Sequence, residues 1–200
     1  KEAIERVLSR QQQNNVLLIG NPGSGRRRLI QDLASKSALG ESQNPFLNYK
    51  RVIELDLTHL VAQTQSLQET EAVLSEIFHE VQRAGDLILV IDELHNFIGD
   101  EAGNAAGRIN IAGVLSSYLR LPQFPFVAVT TFAGLHRYLE QNPSLLSFFE
   151  QVEVTELSQP ETLQVLQETV PGFEQSYKKF ISYPALQAIV AYADKYIQAV

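Results

Sequence analysis

The sequence contains no cysteine, no methionine and no tryptophan among its 200 residues. The absence of cysteine excludes disulfide bonds and thiolate metal sites, and it fits the cytoplasmic location that we predict. No apolar run approaches the ~20 residues that a membrane-spanning helix needs, so we predict no membrane partner. Because methionine is missing even at position 1, we expect the chain to be part of a longer protein.

Basic residues are outnumbered by acidic ones. The formal net charge is −7, from 16 Lys and Arg against 23 Asp and Glu. This balance gives no support for a surface that binds nucleic acid, so we predict no such partner. Hydrophobic residues make up 44% of the chain, which is enough for the core of one good-sized domain.

Short apolar segments alternate with helical patterns along most of the chain. The predicted strands are VLLIG (16–20), RVIELDL (51–57), DLILVIDEL (86–94), FVAVTT (126–131) and QVEVTEL (151–157). This alternation predicts parallel βαβ units in an open sheet covered by helices on both faces. Only helical patterns follow Ser158. We therefore predict an α/β domain over residues 1–157 and the beginning of a small helical domain over residues 158–200.

A glycine-rich turn follows the first predicted strand. Residues 20–27 read GNPGSGRR, whereas the usual phosphate-binding loop is G-x-x-x-x-G-K-[ST]. In such a loop, backbone N–H groups converge on an anion and the next helix contributes the positive end of its dipole. Arg26 keeps the charge of the lysine position, but Arg27 cannot ligate a cation. These residues alone leave open a second interpretation, a turn with exposed arginines and no ligand.

The third predicted strand ends in two carboxylates, Asp92 and Glu93. In nucleotide-hydrolysing folds of this class, the first acid holds magnesium through water. The second acid polarises the attacking water as general base. The order of glycine loop, helix, strand, helix and acid pair favours a nucleotide site over a chance turn.

Other candidate sites have less support. Ser24 and Ser147 have no histidine partner suggested by any motif, which argues against a nucleophilic hydrolase. Arginines 26–28 form only a small basic patch in an acidic chain. The spacing of a metal site is missing from all four histidines, His59, His79, His95 and His136.

Four longer segments are distinctive when they are taken together. They read IERVLSRQQQNNVLLIGNPGSG, RVIELDLTHLVA, LILVIDELHNFIG and VAVTTFAGLHRYLEQNPSLLSFFEQVEVTELS. These segments resemble the first nucleotide-binding module of the Clp-type AAA+ protein unfoldases, the ClpA, ClpB and ClpC group. The resemblance implies an AAA+ P-loop NTPase fold, with a five-stranded parallel sheet flanked by helices and then a helical lid domain. It also implies ATP or ADP and Mg²⁺ as cofactors, bound between adjacent subunits of a ring.

The resemblance further implies roles for individual residues and partners. Asp92 would be the magnesium-side acid, Glu93 the general base and Thr131 the polar residue that senses the γ-phosphate. The phosphates would be held by Gly20, Asn21, Pro22, Gly23, Ser24, Gly25, Arg26 and Arg27. The implied partners are copies of this chain or related AAA+ subunits. Protein substrates or a protease would bind through regions outside this sequence.

Three departures from the family pattern predict weakened function. Arg26 and Arg27 replace the lysine and threonine of the loop, and Ser147 and Phe148 stand where the family has its finger arginines. An arginine finger contributes roughly 10³–10⁵ in turnover, so we expect hydrolysis to be weak or absent. Ser66 takes the place of the pore-loop aromatic residue that grips substrate.

Three hypotheses follow from these matches and departures. In the first, which we favour, the chain is an ATP- or ADP-binding module of a Clp-like chaperone, impaired in hydrolysis and serving assembly or regulation. In the second it is an active ATPase, with Arg26 replacing the lysine and Arg108, Arg120 or Arg137 acting as the finger. In the third it is a nucleotide-free scaffold whose loop arginines form salt bridges to acids such as Asp92.

Overall fold

The computed structural model describes residues 2–10, 12–99, 111–122 and 124–196. Two compact units are present. The first comprises Lys1–Asn21 and Gly25–Val154, and the second comprises Pro22–Ser24 and Thr155–Val200. The predicted division of the chain between residues 157 and 158 stays a prediction.

The first unit is built on one five-stranded parallel sheet with the order β2-β3-β4-β1-β5. The strands are β1 (Asn15–Ile19), β2 (Arg51–Glu54), β3 (Leu87–Ile91), β4 (Phe126–Thr130) and β5 (Glu150–Glu153). Every residue of β1, β3 and β4 is buried, as continuously apolar strands covered on both faces should be. The predicted α/β fold with a parallel sheet is confirmed.

Helices of the first unit cover both faces of this sheet. They are α1 (Glu2–Leu8), α2 (Arg26–Leu39), α3 (Leu57–Gln63), α4 (Leu67–Ala84), α5 (Ala112–Leu119), α6 (Phe132–Gly134, continued by a π-helical turn over Leu135–Leu139) and α7 (Pro143–Leu146). Alternate strand residues point to opposite faces, so the strands divide their apolar side chains between two cores. Leu17 and Leu89 pack with α4 and α5 on one face, whereas Leu18 and Val90 pack with α1 and α2 on the other.

Short polar residues set several of the helix ends. Ser66 caps α4 by accepting a hydrogen bond from the Glu69 N–H (3.2 Å), so the position predicted for a pore aromatic is a helix cap here. Strand β2 ends three residues before the predicted limit because the Asp56 carboxylate accepts from the His59 N–H (2.9 Å) and begins α3. An aspartate just before an apolar helical face was the signal for this cap.

The second unit contains α8 (Gln159–Tyr177) and α9 (Tyr183–Tyr196), which pack against each other. Helix α8 begins with a capping box between Ser158 and Glu161, in which the Ser158 N–H donates to the Glu161 carboxylate (2.8 Å). The predicted change to helical structure after Ser158 is therefore confirmed. In the described part of the chain, no helix is both long and apolar enough to span a bilayer.

Candidate functional site

The glycine loop leaves β1 and leads directly into α2. The Gly20 N–H donates to the Thr130 carbonyl (3.2 Å), which fixes the start of the loop against the end of β4. Gly23 has φ = 85° and Gly25 has φ = 90°, and a Cβ added at either would meet nothing within 4 Å. These positions therefore need glycine for its left-handed backbone and not for lack of space. Of the other predicted phosphate ligands, Asn21 and Pro22 are exposed and Ser24 is buried.

Helix α2 begins with three consecutive arginines and has no acid in its first turn. The positive end of a helix dipole normally attracts acidic residues, so three cations there are unfavourable unless an anion is supplied. Arg26 is half-buried, and its Nη1 donates to the Thr130 carbonyl (2.8 Å). That carbonyl thus accepts hydrogen bonds from both Gly20 and Arg26, so it joins the loop, α2 and β4.

Arg27 makes an ion pair with Asp92 across the site. Its Nε donates to Asp92 Oδ2 over 3.0 Å, and the Arg27 side chain is 77% exposed against 17% for Asp92. The hydrogen bond to Asp92, and then the charge of that carboxylate, raise the pKa of Arg27 above its ordinary value. Glu54 at the end of β2 and Glu93 add to this effect. Arg27 is therefore a permanent cation held at the end of β3.

Both oxygens of the Asp92 carboxylate have hydrogen-bond donors within the chain. Oδ2 accepts from Arg27, and Oδ1 accepts from the Glu93 N–H (2.9 Å). Glu93 itself has a left-handed backbone, with φ = 50°, and its carboxylate accepts from Asn96 Nδ2 (3.1 Å). The acid pair predicted from the sequence therefore lies at the carboxyl end of β3, with Asp92 turned to Arg27 and Glu93 to Asn96.

The ion pair between Arg27 and Asp92 does not favour a magnesium ion at that carboxylate. Magnesium takes oxygen ligands in near-octahedral geometry, and an arginine offers only N–H donors. The guanidinium on Asp92 would also repel a second cation at that carboxylate. The role of Asp92 as the magnesium-side acid, which would hold the ion through water, stays a prediction, and its ion pair with Arg27 opposes that role. Among the residues that the structure describes, no group of three or more His, Asp or Glu side chains could hold a metal ion.

Two neighbouring threonines at the end of β4 have different contacts. Thr131, the predicted γ-phosphate sensor, is the N-cap of α6, where its Oγ1 accepts from the Gly134 N–H (2.9 Å). Thr130 is fully buried, and its Oγ1 lies 3.1 Å from Nδ1 of His95. The sensing role of Thr131 stays a prediction. His95 was considered from the sequence only as a metal ligand and was missed as a residue of this site. Its position three residues after Asp92 could have indicated that it lies here.

Burial at this site lowers the pKa of His95 below its ordinary value near 6.5. Glu93 and Asp92 oppose this shift and Arg26 adds to it. Because the unfolded chain binds a proton at His95 more readily, stability should fall as the pH drops through about 6.5. Urea unfolding between about pH 7.5 and 5.5 should show this loss, and the free energy of unfolding should depend less steeply on pH in His95→Gln. An equal dependence on pH in the two proteins would contradict the prediction.

The arginines proposed as fingers lie on aromatic rings. The Arg120 guanidinium is 5.2 Å from the centre of the Phe148 ring, and that of Arg137 is 5.4 Å from the Tyr138 ring. Ser147 donates its hydroxyl proton to the Ser144 carbonyl (2.7 Å). Arg108 lies outside the described residues. The finger positions therefore carry no arginine of their own, although Arg120 lies over one of them.

The sheet and its two polar loops define the class of the fold. The glycine loop after β1 and the acid pair after β3 lie at the carboxyl edge of one parallel sheet, as in P-loop nucleotide-binding proteins. The model of the ATPase family associated with various cellular activities (AAA) matches residues 16–154. The chain belongs to this AAA family.

Relatives of known type confirm the Clp-type resemblance. The chain is 35% identical over 191 residues to the negative regulator of genetic competence ClpC/MecB of Bacillus subtilis (strain 168), covering 96% of this chain and 23% of that protein. It is 34% identical over 196 residues to the chaperone protein ClpB of Oceanobacillus iheyensis, covering 98% of this chain and 24% of that protein.

A solved structure is similar over nearly the whole chain. The S. cerevisiae Hsp104-ADP complex matches with a TM-score of 0.82 and 25% sequence identity, covering 98% of this chain and 27% of that chain. The present chain spans about a quarter of the length of these relatives. It is therefore an AAA-family module with the nucleotide-binding fold of that family, and it is similar in sequence to the Clp-type proteins.

Proposed function

We propose that this module binds ATP or ADP and is impaired in hydrolysis. The observation that carries the proposal is the start of α2, where three arginines follow a glycine loop, the first turn contains no acid, and Asp92 forms an ion pair with only one of the three, Arg27. A positive helix end with more cations than this one acid neutralises favours an anion, and the phosphates of a nucleotide are the anion that this fold accommodates. Family membership supports the same ligand.

The impairment follows from the contacts of the acid pair. Arg27 engages the carboxylate that would otherwise face the metal, and the hydroxyl that would ligate the metal is absent at position 27. Ser147 and Phe148 stand at the finger positions, and the lack of a finger alone lowers turnover by roughly 10³–10⁵. Nucleotide binding can thus be retained while hydrolysis is impaired, because binding needs only the loop and its cations.

A module that binds nucleotide without turnover can still contribute to a larger assembly. We place it in a ring of its own copies or of related AAA+ subunits, as part of a cytoplasmic Clp-like chaperone. Motor work on protein substrates, and any docking to a protease, would then belong to other modules. The helix cap at Ser66 supports this division, since no aromatic residue is offered there.

Isothermal titration calorimetry with ADP and with ATP tests the proposal. We expect binding to saturate below millimolar nucleotide, and the thermal midpoint to rise because a ligand at 100 times its dissociation constant stabilises by about 2.7 kcal/mol. Phosphate release should be the same in the native protein and in Glu93→Gln. The absence of both heat and thermal shift would refute nucleotide binding, and a rate that falls with Glu93→Gln would refute the impairment.

A second candidate is a nucleotide-free scaffold. It is favoured by a specific observation, since Arg26 and Arg27 already have partners at the Thr130 carbonyl and at Asp92. In that case the arginine side chains occupy the site themselves, and their contacts within the chain take the place of contacts with a nucleotide and a metal ion. Arg27→Ala would then lower stability without affecting any nucleotide response, whereas the first candidate requires a loss of affinity.

A further inference from the structure

Position 27 reverses the chemistry of the phosphate loop. The usual residue there has a hydroxyl that provides an oxygen ligand to magnesium, and Arg27 carries a cation at the same position of the loop. Its Nε lies 3.0 Å from Oδ2 of Asp92, the acid that follows β3. The chain itself therefore supplies a positive charge at the position where a nucleotide site normally binds a magnesium ion.

The bond to Asp92 uses only a small part of the hydrogen-bonding capacity of Arg27. A guanidinium has five N–H donors in a planar fork that matches phosphate oxygens. Within the described residues, the Arg27 side chain makes one hydrogen bond, from Nε, and neither Nη group has an acceptor. The side chain is 77% exposed, so these donors can reach a ligand while Asp92 fixes the orientation of the fork.

The other charged residues near the loop are consistent with a phosphate ligand that binds without a metal ion. A phosphate tail carries several negative charges, and in other P-loop proteins magnesium neutralises part of them. Here Arg26, Arg27 and Arg28 stand together at the start of α2. Asp92, which would repel the tail, is paired with Arg27 and accepts a second hydrogen bond from the Glu93 N–H.

We infer that this module binds the phosphate tail of a nucleoside di- or triphosphate without magnesium, with the Arg27 guanidinium in the place of the metal ion. The inference rests on the proposed function and specifies which form of the nucleotide is bound. Magnesium in solution then competes with the protein for the same phosphate oxygens. The metal-free nucleotide is the preferred ligand.

Calorimetric titration of the whole chain with ADP, in excess EDTA and in excess MgCl₂, tests this inference. We expect the dissociation constant in EDTA to be lower than that in magnesium. A dissociation constant in magnesium that is equal to or below the one in EDTA would overturn the inference and leave nucleotide binding intact. The absence of binding in both buffers would overturn the proposed function and the inference with it.

The variant Arg27→Thr restores the hydroxyl and removes the cation. In EDTA it should bind ADP at least about tenfold more weakly than the native protein, because a charge-assisted contact to phosphate is lost. The matched control Arg83→Thr makes the same replacement at an exposed arginine in the last turn of α4, before the start of β3, and should stay within about threefold of the native affinity. An unchanged affinity of Arg27→Thr in EDTA would overturn the inference. Arg27 is exposed, and the thermal midpoint of each variant checks that the fold is retained.

Discussion

Replacing Phe78 by alanine is expected to lower the free energy of unfolding by about 3–5 kcal/mol. Phe78 lies on α4 and is fully buried. Its ring packs edge to face against those of Tyr118 and Phe124, with distances of 5.3 Å and 5.5 Å between the ring centres. Such ring pairs add about 0.5–1.5 kcal/mol to the burial of area alone. Urea unfolding measures the loss, and tyrosine fluorescence is the probe because the chain has no tryptophan.

The matched control is Phe46→Ala in the same unit. Phe46 is 49% exposed, and Nζ of Lys50 lies 4.4 Å from the centre of its ring. We expect a loss of about 1 kcal/mol or less, since a cation–π contact at an exposed site contributes only about 0.5–1 kcal/mol. Similar losses in the two variants would show that the face of the sheet under α4 is not the main core.

The sheet could be predicted from the sequence because burial on both faces leaves a pattern within each strand. The runs at β1, β3 and β4 are continuously apolar, and each is followed by a helix or a turn signal. Helix α4 was equally clear, since its apolar spacing lies between Ser66 and Gly85. These features are local, so they need no knowledge of which strands are neighbours.

The contacts within the site depend on distant parts of the chain. Arg27 and Asp92 meet because β1, β4 and β3 are adjacent in the sheet, and Glu54 joins them because β2 pairs with β3. Arg27 and Asp92 were each predicted from the sequence as site residues. Only the scaffold hypothesis predicted that they form a salt bridge. That pairing is present, and the nucleotide titrations of the Arg27 variants distinguish the scaffold from a nucleotide site.

The threonine pair shows why individual side chains were harder to predict. Thr130 and Thr131 have the same chemistry and adjacent positions, so the sequence offers no reason to choose between them. Strand β4 ends between them, which turns one hydroxyl to His95 and leaves the other to cap α6. The half-buried His95 was missed because its role comes from packing and not from a motif.

Replacing Arg26 by alanine is expected to weaken ADP binding roughly 10- to 150-fold, which corresponds to the loss of about 1.5–3 kcal/mol for a hydrogen bond to a charged group. Arg26 is the residue at the lysine position of the loop, and its Nη1 donates to the Thr130 carbonyl (2.8 Å). Its removal therefore takes away a cation and also one of the two hydrogen bonds that the Thr130 carbonyl accepts from the loop and α2. The change in affinity is measured by calorimetry.

The companion variant Arg26→Lys separates the two effects. Lysine keeps the charge and matches the usual loop residue, so ADP affinity should stay within about tenfold of the native value even where the contact with Thr130 is lost. If Arg26→Ala and Arg26→Lys lose affinity equally, the role of Arg26 is to hold the Thr130 carbonyl and not to neutralise phosphate. If neither variant changes the affinity, the nucleotide does not use this loop, and the pairing of Arg26 and Arg27 with the chain itself becomes their function, as the scaffold candidate requires.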